Sequence, residues 1–230
     1  MNRAEAKHIP ILIKESIYPT GIRYLRSWQK RAFDITGGLL LTPIAAIAVV
    51  GGAIAIKLDD GGKVFHVAKV VGPRGAVINQ YKLRTMRVDD GSIRHDPANP
   101  KEIDLQRVTR VGKFLRRWSI DELPQVWNIL CGDMYLVGNR PVFRERIDAW
   151  RGNEYLEEVY YGWAHSSNIA KPGCANEVLL NGRSLLDKTL EGRRMRMQLE
   201  KDFLARDSLA RDMKVLIQNI LGVFRRIGAE

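Results

Sequence analysis

S-I-D-E-L-P-Q-V-W-N-I-L-C-G-D-M-Y-L-V-G-N-R-P, from Ser119 to Pro141, opens on two adjacent carboxylates, Asp121 and Glu122, at the start of a helix. It closes on an Arg-Pro in a glycine-containing loop. Ser119 and Glu122 have the S-x-x-E spacing of a capping box. In the other register Pro124 is the first helical residue and the carboxylates lie just before it. Either way both acids stand at the positive end of a helix, which favours their ionised forms. Carboxylates are common first-turn capping residues. An acid pair close to Arg140 and many other cations also suits metal-assisted chemistry on a phosphate ester, with one carboxylate attacking or positioning and the other holding the metal. Adjacent helical residues point roughly 100° apart, so two different tasks fit better than one shared proton.

Outward from this stretch, the chain has 230 residues, a formal net charge of +11 and a pI near 9.8. That length suits one domain, or one domain with an appendage. The charge calls for an anionic partner: nucleic acid, an acidic membrane surface or phosphorylated substrates. No nucleic-acid recognition motif accompanies it, and neither a Walker-type loop nor a dinucleotide fingerprint is present. Cys131 and Cys174 read as reduced thiols, and His8, His66, His95 and His165 lack ligand spacing with them, so no zinc site is expected.

Upstream lies one long uncharged apolar segment, Ile35 to Ile56. Its length of about twenty residues matches the hydrocarbon thickness a helix must cross. Thr42-Pro43 interrupts it, and Lys30, Arg31 and Lys57 flank both ends, so the positive-inside rule gives no direction. Three readings stay open: a spanning helix, a helix that breaks at Thr42-Pro43 and returns to the same face, and a buried core helix. Before it, Leu25, Trp28, Ala32 and Ile35 recur at helical spacing beside a basic stripe of Arg23, Arg26 and Lys30, like an approach to a membrane interface.

Beyond it, K-V-F-H-V-A-K-V-V and A-V-I-N-Q-Y-K-L flank Gly72-Pro73-Arg74-Gly75, which predicts a β-hairpin. Lys82 and Arg84 share a strand face, suited to gripping a diphosphate or simply solvated. Residues 88 to 106 read as an exposed loop, Val142 to Trp163 as helical, and Lys171 to Arg183 as a further loop. The last helix carries Leu209, Met213, Leu216, Ile217, Ile220, Leu221 and Phe224 on one side, and Arg211, Lys214, Gln218 and Arg225 on the other. Packing onto the domain is the default for that apolar side; lying on an anionic membrane is the alternative. The fold class is α/β (α+β), a small mainly helical domain with a β-hairpin on an apolar helix.

From about Lys30 onward the chain resembles the bacterial sugar transferases, or monotopic phosphoglycosyl transferases. The likeness rests on K-R-A-F-D-I with Thr42-Pro43, on Y-K-L-R-T-M, on Arg107 to Pro141 and on the final D-M-K-V-L-I-Q-N-I-L-G-V-F-R-R-I-G-A. It implies an N-terminal arm at 1–29, a re-entrant membrane helix at 30–58 broken at Thr42-Pro43, and a catalytic domain at 59–230 on the cytoplasmic face of the bacterial inner membrane. It also implies transfer of a sugar-1-phosphate from a nucleotide diphosphosugar, usually uridine-linked, to a polyprenyl phosphate with Mg2+, starting an envelope or exported glycan. By position Asp121 would be the nucleophile, Glu122 the magnesium ligand, and Lys82, Arg84 and Arg140 phosphate holders. An anionic membrane would be a partner and nucleic acid would not; a homo-oligomer is left open. Members usually have Gln and Arg where Ala68 and Val70 stand, Pro at Asn139, and T-G-x-x-Q-V where Ala175 to Leu180 stand. An altered donor would account for these departures, as would a non-catalytic relative that binds a lipid-linked glycan or a partner transferase.

Overall fold

Helix formation dominates the chain because its apolar residues recur mostly at helical spacing. The computed structural model describes residues 19–87, 107–144, 170–180 and 190–224. The expected arm before residue 19, the loop at 88–106, most of the Val142–Trp163 helix, Asn181-Gly182-Arg183 and Arg225 fall outside them.

Helix α1 (Pro19–Leu25) ends at Arg26, and Ser27 starts α2 (Trp28–Asp60) by accepting a hydrogen bond from Lys30 N. Leu25 and Trp28 therefore do not share one helix as the spacing predicts. Leu25 is buried, and Trp28 is 77% exposed. Nor does Lys30 belong to an outward basic stripe: it is fully buried, because Asp34 and Asp212 neutralise it inside the fold.

Helix α2 is a single 33-residue element that stays helical through Pro43. The Thr42 hydroxyl donates to Gly38 O at 2.8 Å, a neighbour of the Leu39 carbonyl that proline leaves without its usual donor. Asp34, Gly38, Ala45, Gly52 and Ile56 face inward at helical spacing, whereas Leu39, Leu40, Ile44, Ile47, Val50, Ile54 and Leu58 are exposed. The reading of α2 as a core helix of a soluble domain is thereby overturned. Such a helix hides its apolar residues, and these face outward.

The expected hairpin forms. Strands β1 (Phe65–Val71) and β2 (Val77–Leu83) pair antiparallel, with Ala68 opposite Gln80 and His66 opposite Lys82. Gly75 at φ 75° lets the chain reverse between them. Helix α3 (Arg110–Arg117) is capped by Thr109, which accepts from Gly112 N. A one-turn 3-10 segment (Ile120–Glu122) leads to α4 (Gln125–Cys131). Strands β3 (Tyr135–Val137) and β4 (Gly173–Ala175) form a parallel pair, followed by α5 (Glu177–Leu180), α6 (Leu190–Arg206) and α7 (Leu209–Phe224).

One apolar cluster joins Leu25, Ile129, Met134, Leu136, Val137, Phe203, Leu204 and Val215; another joins Ile56, Leu83 and Leu115. The first lies under the N-terminal half of α2 and the second under its C-terminal half. Both ends of α2 thus rest on the same body. Arg31 donates to the carbonyls of Ile129 and Leu130, and at the other end Arg84 pairs with Asp60.

Helix α7 packs in the opposite sense to the default reading. Asp212 and Val215 are buried, while Leu209, Met213, Ile217, Ile220 and Leu221 form an exposed apolar stripe. The anchor is ionic, Asp212 on Lys30 at 2.6 Å, and this turns the apolar side outward.

Candidate active site

Strand alternation assigns each residue of Lys82-Leu83-Arg84-Thr85 a separate task. Lys82 reaches Glu122 at 2.9 Å. Leu83 enters the core against Gly52 and Leu115. Arg84, just past the end of β2, pairs with Asp60 and donates to Lys63 O, so it fastens the hairpin to the end of α2. Thr85 receives α3: its carbonyl accepts from Thr109 N at 3.1 Å and its hydroxyl from Arg116 Nε at 2.8 Å. Lys82 is therefore brought to the acid pair, and Arg84 is engaged with Asp60 at the end of α2.

The acid pair sits on the 3-10 turn immediately before α4. Ser119 makes no side-chain cap and adopts φ 55°, a left-handed conformation uncommon for a residue with a Cβ. The capping-box register is thus not adopted. The alternative holds to within one residue, since Pro124 has helical dihedrals and α4 is counted from Gln125. The αL residue turns the chain back between α3 and α4, which sets Asp121 and Glu122 beside β2. Positive φ in a serine costs about 1 kcal/mol or more and persists where surrounding structure enforces it.

Burial and the charge of Glu122 push the Asp121 carboxyl up to about 6, against the pull of Lys82 and Arg116. At neutral pH Asp121 is an ionised, poorly solvated and hence reactive carboxylate. Cys174, on β4, is near enough to feel the same charges, but burial, Glu122 and Asp121 push its thiol up to about 12. It therefore stays protonated at neutral pH, whereas Asp121 is ionised there.

Behind the pair lies a layer of amides that the sequence alone did not single out. Gln80 donates to Gln125 Oε1 at 3.0 Å, both being buried, and Gln125 Nε2 has no partner among the described residues. Asn128 presents its side-chain amide to the free edge of β2, donating to Asn79 O at 2.8 Å and accepting from Tyr81 N at 3.1 Å. It acts there as a one-residue strand. A polar residue at a buried helix position was the available signal.

Arg140 lies in a segment clamped at both ends. Gly173 N donates to Asn139 O on one side, and Val71 N donates to Val142 O on the other. The Asn139 side chain is buried, and among the described residues neither its amide nitrogen nor its oxygen has a hydrogen-bond partner. Of the other departures, Ala68 and Val70 are core residues, and Gln80 sets a buried carboxamide directly across the ladder from Ala68. In the altered 175–180 segment, Ala175, Asn176 and Val178 are buried, and Glu177 takes a two-point grip from Arg211 at 2.7 and 2.9 Å. These positions are absorbed by packing.

Among the described residues no three His, Cys, Asp or Glu side chains converge. A divalent ion here would have Glu122, with Asp121 beside it, and otherwise oxygens carried by a substrate. That donor set fits Mg2+, which uses one or two carboxylates plus phosphates and keeps its waters.

The chain is 35% identical over 195 residues to the UDP-glucose:undecaprenyl-phosphate glucose-1-phosphate transferase of Caulobacter vibrioides, covering 84% of this chain and 68% of that one. It is 32% identical to the undecaprenyl-phosphate glucose phosphotransferase of Komagataeibacter xylinus, covering 86% and 37%. It is 29% identical to the UDP-glucose:undecaprenyl-phosphate glucose-1-phosphate transferase of Escherichia coli, covering 96% and 45%. The chain thus spans less than half the length of the last two relatives. The family model for bacterial sugar transferases matches residues 25–226. With the acid pair, its lysine and the apolar helix all inside that range, the chain belongs to the bacterial sugar transferase family.

Proposed function

We propose that this protein transfers a sugar-1-phosphate from a nucleotide diphosphosugar, UDP-linked as in the names of its relatives, to a polyprenyl phosphate, and so starts an envelope or exported glycan. The observation that carries this reading is the half-buried Asp121 carboxylate, poised near pH 6 beside the Lys82–Glu122 pair.

In the first half-reaction an Asp121 oxygen attacks the phosphorus that bears the sugar. The bond to the bridging oxygen breaks, and nucleoside monophosphate leaves with that oxygen and its electron pair. In the second, an oxygen of the polyprenyl phosphate attacks the phosphosugar carried on Asp121 and restores the free carboxylate. Lys82 offsets charge on the diphosphate and fixes Glu122, and Arg140, held in its clamped segment, takes another phosphate. A Mg2+ ion held by Glu122 and the substrate phosphates would neutralise the charge of the diphosphate.

The seating of α2 favours a re-entrant membrane helix. Its 33 residues span about 50 Å if straight, more than the roughly 30 Å of bilayer hydrocarbon. A helix crossing that layer would leave its ends on opposite sides, yet Arg31 and Asp60 are bonded to one and the same domain. Entering and leaving one face, with Thr42-Pro43 at depth, satisfies both conditions and lays the exposed stripe of α7 on the surface. The catalytic body then faces the cytoplasm, where nucleotide sugars are made, at the bacterial inner membrane.

The test is exchange of labelled nucleoside monophosphate into a panel of nucleotide sugars. Wild type exchanges on at least one donor and Asp121→Asn on none; exchange by the variant at the wild-type rate would remove Asp121 as nucleophile. Release of the protein from membranes by salt without detergent would contradict the membrane seating.

A further inference from the structure

Between the C-terminal half of α2 and α3 runs a groove of about 470 Å3, lined on one side by Ala48, Gly51, Gly52 and Ala55 and on the other by Val111, Phe114 and Leu115. Its walls are almost wholly apolar, with Arg110 at the start of α3 and Ile120 among the lining residues. Ile120 immediately precedes Asp121, and consecutive Cα atoms are about 3.8 Å apart, so one lining residue adjoins the acid pair along the chain.

The two adjacent glycines have different reasons to be there. A Cβ at Gly52 would lie 2.6 Å from Leu83 Cδ1, so this glycine lets α2 approach the hairpin. A Cβ at Gly51 would meet nothing within 4 Å. Glycine in a helix interior is about 1 kcal/mol less favourable than alanine, and at 51 no protein contact accounts for that cost. Empty space is what Gly51 preserves. Phe114, 57% exposed, forms the opposite wall as an aromatic surface that no other side chain covers fully.

We infer that this groove holds the isoprenoid chain of the acceptor and delivers its phosphate to Asp121. This rests on the proposed reaction and names the subsite that accepts its lipid. Three features select the occupant. The groove is too apolar for a nucleotide or sugar, which need several polar partners. It follows the helix whose flanking residues Ile44, Ile47, Val50 and Ile54 are exposed, the side that the proposed seating turns to the hydrocarbon. One lining residue, Ile120, directly precedes Asp121, on whose carboxyl the cations Lys82 and Arg116 act, and cations match a phosphate head. A methyl-branched chain fills a trough floored by glycine and alanine and walled by a ring.

The experiment uses the full chain in lipid nanodiscs and a polyprenyl phosphate bearing a diazirine within its isoprenoid chain. Light should place the label on peptides containing Ala48–Ala55 and Val111–Leu115. Untagged polyprenyl phosphate should compete, and an excess of phosphatidylglycerol should not. Gly51→Leu, which fills the groove without striking protein atoms, should reduce labelling at least fivefold and lower the ratio of acceptor-dependent transfer to nucleotide exchange about tenfold. Ala48→Leu, one turn away, should act in the same direction and serves if the first variant fails to fold. Label on other segments, equal competition by phosphatidylglycerol, or unchanged labelling and ratio in both variants would overturn the inference. Wild type that performs no exchange would count against the proposed reaction, while the labelling pattern would still decide what the groove holds.

Discussion

Lys82 Nζ lies 2.9 Å from Glu122 Oε1, and the same ammonium draws down the proton affinity of Asp121 next door. One cation thus serves both members of the acid pair from a fixed position on β2. Lys82→Met should lower nucleotide exchange about a hundredfold, the order seen when one preorganised charge is removed from a transition state. Its pH–rate profile should also shift to higher pH, because Asp121 loses a neighbour that favours ionisation. Lys82→Arg should recover part of the rate, and an unshifted profile for the methionine variant would break the link drawn here.

Asp121 should disclose its environment through stability as well as rate. Its folded-state value of about 6 lies above the ordinary 3.8 of a free aspartate, so the native state binds the extra proton and stability falls as pH rises between those values. Above pH 6 the ionised side chain costs at most roughly 3 kcal/mol, from 1.36 kcal/mol per pH unit. Asp121→Asn should therefore abolish exchange yet unfold at a higher denaturant concentration at pH 7.5. The gain, about 1–3 kcal/mol, should vanish below pH 4. Wild-type exchange should rise with pH through about 6 and then level off.

Asn128 substitutes for a strand along the free edge of β2. Asn128→Ala should leave the Asn79 carbonyl and the Tyr81 N–H without partners and cost about 2–3 kcal/mol in urea unfolding. Asn128→Asp keeps an acceptor for Tyr81 N but sets a negative charge against the Asn79 carbonyl, so it should be no better. A loss below 0.5 kcal/mol for both would mean that α4 is held to the hairpin by apolar contacts alone.

Lys30, Asp34 and Asp212 form a buried ionic knot in which Lys30 also donates to Val137 O at 2.8 Å. Lys30→Met strands two carboxylates and should cost about 3–5 kcal/mol. Adding Asp212→Asn should return part of that loss. Asp207, beside the knot, is pushed up to about 8 by burial and by Asp212. Stability should therefore decline as pH rises toward 8, and Asp207→Asn should flatten the decline in a thermal-melt series.

The hairpin was legible because alternation and the G-P-R-G turn act locally, and α2 because twenty uncharged residues have few alternatives. Spacing alone read the acid pair as capping residues and Lys82 as a solvated charge; the family resemblance singled them out, and the structure brings Lys82 to Glu122. Helix α6 escaped because its inward face is ionic: Arg196 and Glu200, an i,i+4 pair 3.2 Å apart, are both buried, so apolar periodicity is faint. The outward turn of α7 was hidden for the same reason, since a buried Asp212 makes sense only beside a lysine 182 residues away. Strands β3 and β4, three residues each, are too short for alternation to register. The parting of Lys82 from Arg84 depends on where β2 ends, a boundary that sequence periodicity sets poorly.

That 182-residue separation also has a temporal side. Ribosomes add about 5–20 residues per second, so Lys30 and the greasy helix behind it emerge roughly 10–40 s before Asp212 exists to receive them. During that interval the nascent chain carries an unneutralised ammonium and a row of bare aliphatic side chains. Lipid contact during translation, or a chaperone in its place, becomes a condition of folding, and the last helix is the latch that ends the wait.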